Sequence, residues 1–152
     1  MNSNNIRPLV ICLFRNNNKI LVAECFDPST NYYFYRPLGG AIKFGELSED
    51  ALRREILEEI GENISDLNYL GTLENIFTFN NELGHEIVLV FDGKFVNQEI
   101  YTKEWISGYE EEDGNLPFMS LWKSLEYFQE PDSSPLYPDG LLQLIFNTSE
   151  GS

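Results

Sequence analysis

No apolar run in this sequence is long enough to span a bilayer, and the N-terminal one, LVICLF at 9–14, is too short even for a signal-peptide core. Cysteine is scarce. Cys12 and Cys25 lie in apolar runs and match no metal-ligand or redox spacing, so buried reduced thiols are expected rather than a disulfide. A reducing cytoplasm is the default location for such a chain. Positive charge is also short: ten Lys and Arg stand against 25 Asp and Glu, a formal net charge of −15, with no basic stripe. Long nucleic acids and anionic membrane surfaces are therefore expected to be poor partners unless a metal or a local patch intervenes. The charge also serves solubility.

What is present suits a packed fold. Hydrophobic residues make up 42% and aromatics 14% of 152 residues, and neither an internal repeat nor a linker divides them. One domain over 1–152 is expected, with frayed polar tails at 1–5 and 147–152. LVICLF (9–14) and ILVAECF (20–26), around Asn16, Asn17 and Asn18, read as a β-hairpin. YYFYRPL (32–38) reads as a third strand that Pro37 limits. Residues 67–80 and 85–96 read as strands joined by a turn at NELG, 81–84. Leu121, Leu125 and Phe128 at i, i+4, i+7 predict a helix over 118–128, and a last helix is expected from Leu141, capped by Asp139. Strands interleaved with a central helix and later helices give an α/β sandwich with a mixed sheet.

The central helix carries the chemistry. Ser48 is placed to cap it, Glu49 and Asp50 suit its positive end, and Gly61 stands where a left-handed residue would end it. At about 100° per residue, Leu52, Ile56, Ile60 and Leu57 share one arc, expected to face a sheet. Glu55, Glu58 and Glu59 gather on another. Like charges at i, i+3 and i+4 cost a few tenths of a kcal/mol per pair unless something neutralises them. Carboxylates on a rigid element suit a hard divalent cation, although an acidic helix face is more often simply solvated.

The wider pattern separates these readings. Gly40, five residues, Glu46, seven residues, then Arg54-Glu55-Ile56-Leu57-Glu58-Glu59-Ile60-Gly61 resembles the Nudix box, the signature of the Nudix hydrolase family. All seven fixed residues match; at about 7% per position, chance agreement at one start is on the order of 10⁻⁸. The departure is Glu62, where the box ends on an aliphatic residue; it is read as a packing change. The resemblance implies an α/β/α sandwich with a mixed sheet, the box forming loop–helix–loop. It also implies Mg²⁺- or Mn²⁺-dependent hydrolysis of a nucleoside diphosphate linked to another group, by water attack at phosphorus.

Roles follow position by position from the resemblance. Glu58 and Glu59 match the principal metal ligands, Glu55 a ligand or general base, and the Gly40 carbonyl a group that completes the metal shell. Glu46 and Arg54 match a salt bridge that locks loop to helix, and Gly61 ends the motif. Family members often recruit a later acidic residue; the stretch 108–118 offers Glu110, Glu111, Glu112 and Asp113, of which Glu112 is chosen, with Glu86 competing. His85, the single histidine, is read first as a turn residue, with general-base or substrate contact left open. Arg36 and Lys43, the cations flanking Gly40, could pair with substrate phosphates or merely balance nearby acids. Phe79, with Tyr33, Tyr35 and Phe77, could stack on a base or fill the core.

Substrate subtype is less legible. Phe77 stands where ADP-ribose-preferring members often carry proline, and Thr78, Phe79 and Asn80 stand where dinucleoside-polyphosphate hydrolases often carry tyrosine. A small nucleotide fits the charge better than a capped or long RNA. The family admits a homodimer. A non-catalytic nucleotide-binding or sensor domain on the same fold is the alternative, which retention of Glu55, Glu58 and Glu59 disfavours. A merely structural acidic helix leaves Gly40 and Glu46 at their spacing unexplained.

Overall fold

A computed structural model of the chain describes residues 4–110 and 116–148. Eight strands form one mixed sheet: β1 (Arg7–Asn16), β2 (Lys19–Asp27), β3 (Tyr32–Arg36), β4 (Gly39–Ala41), β5 (Ile64–Phe79), β6 (Glu82–Phe95), β7 (Trp105–Glu110) and β8 (Leu116–Ser124). They run in the order β5-β6-β1-β2-β8-β7, with β3 beside β2 and β4 beside β1. Only the β1–β6 pairing is parallel among the named pairs. Three helices complete the fold: α1 (Ser48–Ile60), α2 (Leu125–Phe128) and α3 (Leu141–Thr148).

The asparagine cluster makes the expected hairpin, with Asn17 at φ +60° between β1 and β2. These strands pair only beside their turn, at Arg15–Ile20 and Asn16–Lys19. They then part. β4 takes the vacated edge of β1 and β3 that of β2, so the sheet opens into two wings joined by Pro37 and Leu38. Both faces of the sheet are covered. Ala51, Leu52 and Ile56 of α1 pack with Val10, Cys12, Phe14 and Leu21 on one face; Leu141 and Ile145 of α3 pack with Leu9, Ile11, Leu13 and Val90 on the other. That is the α/β/α sandwich anticipated from the box.

Several local expectations need correction. Residues 118–124 are strand, not helix. Phe118 and Trp122 pack on the α1 side while Leu121 packs on the other, and burial on both faces hides the period of two. The apparent helical spacing arises because only residues 125–128 are helical, starting at a Ser124 side chain that accepts from the Tyr127 N–H. The β5–β6 turn is Asn80–Asn81, at φ +52° and +68°, and Glu82–Gly84 already belong to β6. Two successive positive φ values are what a two-residue hairpin demands, and asparagine tolerates them. Ser48 is the first helical residue rather than the cap: Leu47 holds that position and no side chain caps the helix there. Asp139 supplies its backbone N–H to Asn75 Oδ1 before α3, rather than a side-chain cap. No helix among the described residues is long and apolar enough to cross a membrane.

Candidate active site

Arg54 holds the box together. Its Nε donates to Glu46 Oε2 at 2.7 Å and its Nη2 to Glu46 Oε1 at 2.9 Å, a two-pronged pair across eight residues. Nη2 also reaches the Ala41 carbonyl at 3.0 Å, while Nη1 donates to Glu55 Oε2 at 3.0 Å and Glu58 Oε1 at 3.3 Å. Both oxygens of Glu46 are thus engaged by one guanidinium, and Oε1 additionally accepts from the Lys43 backbone N–H at 3.0 Å. The hydrogen bonds from Arg54 come first in holding the Glu46 carboxyl down at about 2, with the Lys43 N–H next. The loop 42–47, which has no repetitive structure, is tied to α1 through this side chain, while its Ile42 N–H bonds the Pro8 carbonyl and its Leu47 carbonyl accepts from the Ala51 N–H.

The helix is turned further toward the sheet than the apolar arc suggested. Leu57 is half exposed, whereas Glu55 and Glu59 are each only 5% exposed. Two glycines permit the approach. A Cβ on Gly40 would run into the Glu55 carboxylate, and one on Gly108 of β7 would lie 2.7 Å from the Glu59 carbonyl oxygen. At the other end Gly61 closes the helix in the left-handed region, φ +73°, its N–H bonded to the Leu57 carbonyl. Glu59 then stands between two other carboxyls, hydrogen-bonded to both Glu110 and Glu55. Burial first, and these two neighbours next, raise its carboxyl far above the usual range.

Opposite these acids lies the end of β3. Arg36 pairs with Glu86 across the gap between the wings, Nη2 to Oε1 at 3.7 Å. Glu86 is 2% exposed and also accepts from Asn75 Nδ2 at 3.3 Å. Arg36 and Glu110 both lie close enough to Cys25 to act on its thiol, so the arginine and the carboxylates border the same space. Phe79 is partly exposed and meets Phe34 edge-on, ring centres 6.0 Å apart. A concavity of about 620 Å³ at the far ends of β1 and β6, lined by Arg15, Ser65, Lys94 and Tyr101 among others, includes none of these residues.

A family model described as the NUDIX domain matches residues 5–139. The chain belongs to the Nudix family. Among its relatives, a protein named NAD-capped RNA hydrolase NudC from Haemophilus influenzae is 32% identical over 115 residues, covering 74% of this chain and 43% of that protein. The NudC of Vibrio atlanticus is 36% identical over 67 residues, 44% of this chain and 24% of the relative. The chain thus aligns with less than half the length of these curated relatives. Among solved structures, a NUDIX hydrolase from Nitrosomonas europaea superposes with a TM-score of 0.66 at 18% identity, covering 97% of this chain and 90% of that one. That likeness shows the fold.

Nudix hydrolases generally use divalent metal ions, and the donors present here fit one. Glu55, Glu59 and Glu110 bring hard oxygen ligands together in a buried place where protons or a cation must offset their charge. Close as these carboxyls are, no three His, Cys, Asp or Glu side chains among the described residues are arranged so as to hold an ion, and Glu58 is turned to Arg54. Glu112 lies outside the described residues. Glu110, from the same acidic stretch, reaches Glu59. Glu86, the competing candidate, is occupied by Arg36 and Asn75. His85 is partly exposed on β6 opposite Ile76, and the Lys43 side chain is exposed on the loop. Asn75 went unnoticed in the sequence, where nothing separates it from other strand-borne asparagines; its sign is burial at 3%.

Proposed function

We propose that this Nudix domain is a Mg²⁺- or Mn²⁺-dependent pyrophosphohydrolase that cuts a small nucleoside diphosphate-linked substrate by water attack at phosphorus. The observation that carries the reading is Glu59, buried between Glu55 and Glu110, on a helix whose loop Arg54 ties down. Such packing of carboxyls is unfavourable in a purely structural helix and becomes favourable around a cation. Glu58 and Glu59, with Glu55 and the Gly40 carbonyl, would hold the ion. When bound, it would supply charge neutralisation and polarise phosphoryl oxygen. Glu55 or Glu110 would take the proton of the attacking water, and Glu112 remains a candidate for the same duty. Arg36 and Lys43 supply the cations that could meet substrate phosphates, and Phe79 an aromatic face for a base.

The name of the NudC relatives sharpens the substrate class. NAD is a dinucleotide joined through pyrophosphate, so an NAD-like dinucleotide fits both that name and the chemistry of the site. A net charge of −15 favours the free dinucleotide over one attached to a long RNA, because each added phosphate lacks a basic surface to receive it. The test is a panel of NAD, ADP-ribose, dinucleoside polyphosphates, nucleoside triphosphates and NAD-capped RNA, with Mg²⁺ or Mn²⁺, followed by phosphatase-coupled phosphate release or chromatography. Turnover of NAD or ADP-ribose above capped RNA is expected. Silence across the panel with both metals would overturn the assignment.

A further inference from the structure

Five arginines serve this chain, and the structure shows two of them used in opposite ways. Arg54 is spent: Nε, Nη1 and Nη2 all donate to protein oxygens within 3.3 Å. Arg36 is held but not used. Its closest pairing among the described residues is the 3.7 Å approach to Glu86, longer than a hydrogen bond, and its side chain is 29% exposed. A guanidinium has five N–H donors in a rigid fork, and the long approach to Glu86 leaves this one partly exposed between the wings.

The support behind it is unusually deep. Glu86 is 2% exposed, and burying a carboxyl group there is costly unless it is partnered. Asn75, itself 3% exposed, donates Nδ2 to Glu86, while its Oδ1 accepts the Asp139 backbone N–H at 3.3 Å. That second bond fixes which end of the amide faces Glu86. A relay thus runs from the 131–140 loop through Asn75 and Glu86 to a guanidinium that stops short of a full ion pair. A pair built for stability would close to about 2.8 Å, as Arg15 and Asp92 do here. A partly exposed guanidinium, an orienting anion behind it and a carboxyl of the acidic cluster acting on the same Cys25 thiol together suit an anion beside Arg36, next to the carboxyls proposed to hold the ion.

We propose that Arg36 is the diphosphate clamp of this site, rather than Lys43, and that buried Glu86 and Asn75 are positioning residues that aim its fork. The inference rests on the diphosphate reading above but is tested without catalysis. ADP binding is measured by titration calorimetry in EDTA, so that the metal site is silent, for the wild type, Arg36→Lys, Glu86→Gln and the double variant, with adenosine as control and melting temperatures to confirm folding. Arg36→Lys keeps the charge that Glu86 needs and loses the fork, so ADP affinity should fall about tenfold. Glu86→Gln should cost about three- to tenfold although the arginine remains, and the double variant should bind no more weakly than Arg36→Lys alone. Adenosine affinity should not move. If Glu86→Gln does not fold, Asn75→Ala, which loosens Glu86 without removing it, should give the same selective loss.

Wild-type ADP affinity in Glu86→Gln, losses that multiply in the double variant, equal losses for adenosine, or no ADP binding by the wild type would each overturn the clamp. A wild type that binds ADP in this pattern yet hydrolyses nothing with metal would support the clamp and remove the hydrolase reading. Hydrolysis whose KM ignores Arg36 would do the reverse.

Discussion

The Cα of Gly40 lies against the Glu55 carboxylate, so that a methyl group on it would meet Cδ and both oxygens of that side chain. The contact explains why glycine is needed at the start of the box without any appeal to unusual backbone angles. Glu55 is itself held from the other side by Arg54 at 3.0 Å and is buried. It has nowhere to retreat. Gly40→Ala should therefore displace the Glu55 carboxylate or push the loop off the helix. Misplacement by about 1 Å can cost on the order of a hundredfold in rate. We expect at least a tenfold loss in kcat on the best substrate, with a far-UV circular dichroism spectrum like that of the wild type. Unchanged kcat would mean that Glu55 does not need its present position.

Arg54→Lys tests the lock itself. Lysine keeps the charge but cannot make two parallel bonds to Glu46 while also reaching Ala41, Glu55 and Glu58. The pair is partly exposed, with side chains 21% and 18% accessible, so screening limits its worth. A loss of about 1 kcal/mol is expected, seen as a melting temperature lower by a few degrees. Activity should suffer more than stability, because the same guanidinium also fixes two glutamates of the helix, Glu55 and Glu58. A variant as active as the wild type would show that the loop is ordered by other contacts.

The same pair predicts acid sensitivity. Arg54 holds Glu46 down at about 2 from an ordinary value of 4.5. A carboxyl whose value is lower in the folded chain stabilises the fold when ionised. That contribution is complete above about pH 4.5 and is lost as pH falls toward 2. Glu59 titrates in the unfolded chain within this window, but it does so alike in both proteins, so its effect cancels in the difference between them. Thermal melts from pH 5 to 2 should show Glu46→Gln less stable than the wild type at pH 5, with the difference shrinking toward pH 2. A constant difference across the range would remove the ion pair as its cause.

How far the site was legible depends on what kind of signal each residue left. Glu46 and Arg54 could be paired from their spacing, because a fixed contact between a loop and the next helix forces a fixed separation. Gly61 and the asparagine turn at 17 were readable because positive φ admits few residue types. The orientation of α1 was not. Periodicity assigns apolar residues inward, whereas here two glutamates are buried and Leu57 is half exposed, so the demands of the site outweigh transfer preference. β8 was hidden by being apolar on both faces. Glu110 could be narrowed only to an acidic stretch, because register with Gly108 and the pairing of β7 with β8 decide which carboxylate meets Glu59. Asn75 left no sequence signal, and Glu86 was legible only as a competing acid, since the meaning of both lies in a contact across strands β5 and β6.

Glu59→Gln separates a cation site from a structural one. Removing a buried charge that served the fold would destabilise the protein. Here Glu59 has Glu55 and Glu110 as its neighbours, and burial with these acids raises its carboxyl, so without metal it adds repulsion or carries a proton. Glutamine has nearly the same shape and cannot ionise. The metal-free variant should therefore melt no lower than the wild type at pH 7 to 8. The wild type should gain stability from millimolar Mn²⁺ or Mg²⁺, as any native-state ligand confers, and the variant should lose most of that gain together with metal-dependent turnover. This order of effects is what a merely acidic helix cannot produce: equal or better stability alone, but no response to the ion. If the variant melts much lower in EDTA and still shifts with metal as the wild type does, the carboxylates at 55, 59 and 110 are not the place where the ion binds.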